Sequence, residues 1–162
     1  MTTGNRFAKR TLYCAVAAAL LSSAGAQAEY RVSAFRSAPG YEALMDGDYQ
    51  AASQDMSVRF QSSGFSVDAN LCVSQLMVES LSEALKSCNR ALRQLPDRSP
   101  LNIEARRANE SVVLSNRGVV LAMQGNLVAA EEDFTRALKL DDDNANAESN
   151  LAHLRSLRLS MR

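Results

Sequence analysis

The chain offers little to nucleophilic catalysis, because its only imidazole is His153. Ser149 and Ser156 lie within helical reach of it, but spacing fixes no acid beside it. No G-x-S-x-G turn exposes a serine over an oxyanion hole, and no glycine-rich loop cradles phosphate. Two acidic groups, Glu131-Glu132-Asp133 and Asp141-Asp142-Asp143, invite a calcium reading. Counted from Asp141, however, the sixth position is Asn146 where glycine is required and the twelfth is Ala152 where glutamate is required. The first group falls near a helix start, where negative charge is favourable, and the second past a helix end, where acids form turns. Both read as solvated surface. Cys72 and Cys88 form no CxxC, and the histidine is remote from them, which argues against zinc. We therefore expect no catalytic residue, no metal and no cofactor.

The beginning of the chain concerns export rather than fold. Arg6, Lys9 and Arg10 precede an apolar run over residues 12–21 and a small-residue stretch ending Ala26-Gln27-Ala28. This pattern is that of a secretory signal peptide, with cleavage expected after Ala28. The apolar run is shorter than the roughly 20 residues that span a bilayer, so stable membrane insertion after cleavage is not expected. Cys14 would leave with the leader. The remainder carries a net charge of −3, which does not suit a nucleic-acid binder. The alanine-rich leader points to a bacterial periplasm, with release from the cell as the other destination. In such an oxidising compartment a disulfide between the two remaining cysteines is the default. It would close a loop of about 17 residues and contribute on the order of 3 kcal/mol. A redox-active pair would want exposure and a lowered thiol pKa, for which only Lys86 and Arg90 stand nearby.

Of the 162 residues 46% are hydrophobic, only 6% are aromatic and tryptophan is absent. A core of Leu, Ala, Val and Met favours helices, and the length suits one globular domain. Residues 111–144 read as two helices of similar length around Gln124-Gly125-Asn126. Gly125 suits the left-handed conformation that ends one helix, and Asn126 suits the cap that starts the next. Leu114, Arg117, Gly118 and Leu121 share one face of the first helix, and Ala130, Phe134, Ala137 and Leu138 one face of the second. Small residues at Gly118, Ala130 and Ala137 allow the two backbones to approach closely.

On these residues the chain resembles the tetratricopeptide repeat, with its 34-residue period. It departs from that pattern at Leu114, Arg117 and Asp142. A weaker copy over residues 65–98 carries Leu71, Cys72, Ala84, Cys88, Ala91, Leu92 and Pro96 on signature positions. Asp68 and Gln75 replace large apolar groups there, Glu79 replaces the turn glycine, and Ser80 with Glu83 offers a capping box. A partial copy lies at about residues 41–60, its first helix cut to one or two turns by Pro39-Gly40. Residues 99–110 form an insert whose helix-forming stretch extends the next helix backwards, and residues 145–160 form a capping helix. The resemblance implies an all-α, short right-handed solenoid of antiparallel hairpins spanning residues 29–162.

The resemblance also assigns positions. Cys72 and Cys88 face one another across the weaker hairpin. Arg117 projects inward where leucine is usual, opposite Asp133, so an ion pair is expected. First helices line the concave groove, which makes Asn70, Val73 and Met77, then Val112, Ser115, Asn116, Val119 and Met123, then Asn150 and His153 the candidate binding residues. Asn70, Asn116 and Asn150 share one template position, and a carboxamide can both donate to and accept from a peptide backbone. The implied function is a non-enzymatic module that binds a protein or peptide segment in this groove. The other reading is an assembly component that self-associates or stacks through an open edge at residues 41–60.

Overall fold

The computed structural model describes residues 11–13, 30–58, 64–95 and 103–161. Two three-residue strands, β1 (Thr11–Tyr13) and β2 (Arg31–Ser33), pair antiparallel with Leu12 opposite Val32. The helices among the described residues are α1 (Tyr41–Met45), α2 (Tyr49–Val58), α3 (Phe65–Met77), α4 (Leu81–Arg93), α5 (Ile103–Met123), α6 (Leu127–Leu140) and α7 (Ala145–Ser160). Successive helices pack as hairpins, α3 on α4 and α5 on α6, and α7 closes the stack against α5 and α6. This is an all-α solenoid. Of the segment expected to be a leader only Thr11–Tyr13 is among the described residues; Cys14, the expected cleavage site, Phe60, Pro96 and Pro100 lie outside them.

The repeat is visible in how its first helices end. Gly47, Glu79 and Gly125 all adopt left-handed backbone, with φ of 81°, 60° and 82°. Behind each, the next amide reaches back five residues: Asp48 to the Ala43 carbonyl, Ser80 to Gln75 and Asn126 to Leu121, at 2.9, 2.8 and 2.9 Å. This is the Schellman closure that satisfies a helix's last carbonyls. Glu79 performs it without glycine's freedom, at a backbone cost that its repeat must absorb. The following helices begin on side chains in two of the three cases: Asp48 Oδ1 accepts from the Ala51 amide and Asn126 Oδ1 from the Ala129 amide. The capping box expected at Ser80 and Glu83 is not formed. Ser80 occupies the cap position without a side-chain bond, and Glu83 instead accepts from Lys86 Nζ at 2.9 Å.

Packing follows the small-residue pattern. Ala130, Phe134 and Ala137 are fully buried, and a methyl group placed at Gly118 would lie 2.5 Å from Phe134 Cε1. The phenyl ring thus fills the space that the missing side chain leaves. Cys72 and Cys88 are bridged, with Cα atoms 5.2 Å apart, which staples α3 to α4. The polar residues of this weaker hairpin also find partners. Arg90 Nε donates to Asp68 Oδ1 at 2.9 Å, Arg90 Nη2 to Ser87 Oγ, and Ser87 Oγ to Gln75 Oε1. In the stronger hairpin the charges are exchanged between helices. Arg117 on α5 makes a fork to both Asp133 oxygens at 2.7 Å, and its third bond, to Asn89 Oδ1, ties α5 to α4. Buried Asn144 caps α7 through the Ala147 amide and donates to Ser111 Oγ, which donates to the Ala137 carbonyl. Glu131 is more than solvated surface, since it pairs with Arg155 and Arg158 across α6 and α7.

Gly118→Ala should lower the unfolding free energy by about 1–3 kcal/mol, the usual range for overpacking. Urea denaturation followed by circular dichroism measures it; an unchanged midpoint would show that Phe134 yields freely.

Candidate peptide groove

Three helices each present an asparagine to the same side of the stack: Asn70 from α3, Asn116 from α5 and Asn150 from α7. An extended chain turns the N–H and C=O groups of alternate residues toward the same edge, and residues 31, 33 and 35 use this geometry. Asn150 Oδ1 accepts from the Arg31 amide at 2.7 Å while its Nδ2 donates to the Arg31 carbonyl at 2.8 Å. Asn116 does the same for Ser33, at 3.0 and 2.8 Å, and Asn70 for Phe35, at 2.7 and 2.9 Å. The segment therefore crosses the groove from the capping helix back toward the first hairpin. Residues 36–40 then lead it into α1.

Side chains seat the same segment. Val32 is fully buried in the main core, and Ser33 Oγ accepts from Asn146 Nδ2 at 2.7 Å. The Tyr30 ring lies edge-on to His153, with centroids 4.7 Å apart, and stacks on Phe134 at 6.3 Å. Phe35 meets Phe65 of α3 edge-on at 5.3 Å. The Tyr30 hydroxyl is buried without a hydrogen-bond partner among the described residues, and burial raises its pKa. Burial likewise lowers the pKa of His153, because a charged imidazole would be poorly solvated against the tyrosine ring.

The expectation of an open inner surface needs correction. Asn70, Val73, Val112, Ser115, Asn116, Val119 and Asn150 are buried, and Ser115 Oγ accepts a further bond from Asn150 Nδ2 at 3.3 Å. Met77, Met123 and His153 keep partial exposure. The cover is the chain's own residues 30–35, which sequence reasoning left without a role. Their signal was present in the alternation of Tyr30, Val32 and Ala34 with Arg31 and Ser33, a strand period, but a run this short is easily passed over between a leader and a helix. Asn146, which holds Ser33, was also missed, since it was weighed only as a failed calcium ligand.

A family model described as "Tetratricopeptide repeat" matches residues 111–144. Solved structures share the architecture. The second TPR domain of human RPAP3, in complex with an HSP70 peptide, is 22% identical, covers 72% of this chain and 88% of its own, and superposes with a TM-score of 0.57. The first TPR of Spaghetti (RPAP3), bound to an HSP90 peptide, is 19% identical over 74% and 87%, with a TM-score of 0.59. The Arabidopsis OM64 TPR domain is 17% identical over 73% and 89%, also at 0.59. A search of curated proteins gave no match.

Asn116→Ala would strand the Ser33 amide and carbonyl in a buried site, and should destabilise the fold by about 2–4 kcal/mol, two unmet backbone groups at the usual penalty; urea titration reads it, and a loss below 1 kcal/mol would mean that Ser33 is not held as described. For His153 the sign follows from linkage. Its folded pKa lies below its unfolded value, so the unfolded chain binds the proton more readily and stability falls as pH drops from about 6.5. Thermal melts from pH 7.5 to 5 should show this decline, reduced in His153→Gln.

Proposed function

Since the chain is a tetratricopeptide-repeat protein, we propose that it is a non-enzymatic interaction module of the periplasm whose concave face takes up an extended protein segment by its backbone. The observation that carries this reading is the set of six amide-to-backbone hydrogen bonds from Asn150, Asn116 and Asn70 to alternate residues of one extended segment. Backbone bonds supply affinity irrespective of sequence, and the pockets between them select side chains. Two structures of the same fold hold peptides, one from HSP70 and one from HSP90, which supports a peptide segment as the class of partner. The non-enzymatic part rests on how the polar side chains are employed: Arg117 and Asp133 satisfy each other, and His153 packs on an aromatic ring. The export pattern at residues 6–28 supports the periplasm, as does the Cys72–Cys88 bond, which persists where the surroundings are oxidising.

The test is affinity capture from an envelope extract with the tagged chain beginning at Glu29, beside the double variant Asn116→Ala, Met123→Ala. At least one envelope protein should be recovered with the unaltered chain and lost with the variant, while circular dichroism shows that the variant remains helical. Equal recovery of every protein by both would remove the groove from the reading. Cell fractionation checks the compartment, and a cytoplasmic chain still bearing Met1 would contradict it.

A further inference from the structure

The groove assigned above to a partner is filled in this chain by residues 30–35, and they sit in it as a peptide ligand would. They belong to no helical hairpin, and their other edge pairs with Thr11–Tyr13, which cleavage after Ala28 would remove. Their polar ties to the helices include the six asparagine bonds and the Asn146 bond to Ser33 Oγ. Their side chains enter separate sites, Tyr30 between Phe134 and His153, Val32 in the core and Phe35 against Phe65. The fit is imperfect at the buried Tyr30 hydroxyl, which has no partner among the described residues, an arrangement that weakens the hold. Cleavage after Ala28 would leave one residue ahead of Tyr30, so residues 36–40 would be the only tether.

We infer that residues 30–35 are a displaceable internal ligand, and that the partner is an extended segment carrying the same side-chain pattern: an aromatic group, then a β-branched residue two positions on, a serine next, and an aromatic two positions after that. This inference rests on the groove reading of the preceding subsection. A short tether holds the strap near the groove at an effective concentration of order millimolar. An outside segment therefore binds with an apparent affinity reduced by the fraction of time the groove stands open. A competitor with phenylalanine in the place of Tyr30 avoids the stranded oxygen and should bind more tightly than the chain's own sequence.

Two measurements test this on the chain beginning at Glu29. In hydrogen exchange, the amides of Arg31, Ser33 and Phe35 should exchange at least about a hundredfold faster than those of α5, through an opening that low denaturant leaves unchanged. Exchange in step with α5 would make the strap a permanent part of the core and overturn the inference. In the second, a labelled synthetic peptide of residues 29–36 is titrated into the chain carrying Val32→Asp, which loosens the strap and spares the asparagines. Saturable binding is expected, about tenfold or more weaker in the unaltered chain and lost when Asn116→Ala is added. Absence of binding to a folded Val32→Asp chain overturns the inference, and if that variant fails to fold, the exchange measurement decides. The two readings separate cleanly. Should the peptide bind but fail to displace the captured envelope protein, the strap stands and the partner's place in the groove falls. Should capture depend on Asn116 while the peptide never binds, the strap alone falls.

Discussion

An extended polypeptide shows its amide and carbonyl groups to either side in alternation, and a carboxamide is among the few side chains that answer both members of such a pair at once. The concave face of this solenoid depends on that match. An asparagine stands on each of α3, α5 and α7, at Asn70, Asn116 and Asn150, and together they engage every second residue along 31–35. The period of the stacked hairpins is thereby coupled to the period of a strand. Were the helices to slip or rotate against one another, the amides would fall out of step with the backbone. Buried N–H and C=O groups would then lose their partners, which is far costlier than the modest net gain of each bond when made.

The remaining structure keeps those three amides aligned. The left-handed turns at Gly47, Glu79 and Gly125 end the first helices in the same way, so each hairpin turns alike. Phe134 closes on Gly118 to fix the distance between α5 and α6, and the Cys72–Cys88 bridge fixes α3 against α4. Between the hairpins, Arg117 reaches from its fork on Asp133 to Asn89. The second hairpin carries Asp68 and Gln75 where apolar bulk is usual. It recovers cohesion through the Arg90 and Ser87 network and the disulfide, so a weaker apolar core is offset by covalent and charge-assisted links.

Under the proposed reading, occupancy of the groove by the chain's own segment gives one face two physical uses. While residues 30–35 lie in place, Val32 and Tyr30 join the main core, and the solenoid gains apolar contacts that a three-hairpin stack otherwise lacks. The same bonds are of the kind any extended segment could make, because they engage backbone and not side-chain identity. The aromatic ends of the strap, Tyr30 and Phe35, and the serine held by Asn146 supply the selectivity that the amides do not.

Residues close in sequence determined most of this architecture by themselves. Gly125 with Asn126 specified a turn from both sides, and Gly118, Ala130, Phe134 and Ala137 specified a close helix pair. Pro39-Gly40 limited the first helix, which runs only from Tyr41 to Met45. The opposition of Arg117 and Asp133 and of Cys72 and Cys88 followed from the repeat's own period, since within one hairpin sequence spacing fixes spatial spacing. The partner of the three asparagines was a different matter. That they can hold an extended backbone is written in their chemistry, but residues 31 and 150 are 119 apart, and no local periodicity joins a short strand to a distant helix. Only the folded chain, by bringing a segment with unmet backbone groups to a face with unmet amides, decided what lies in the groove.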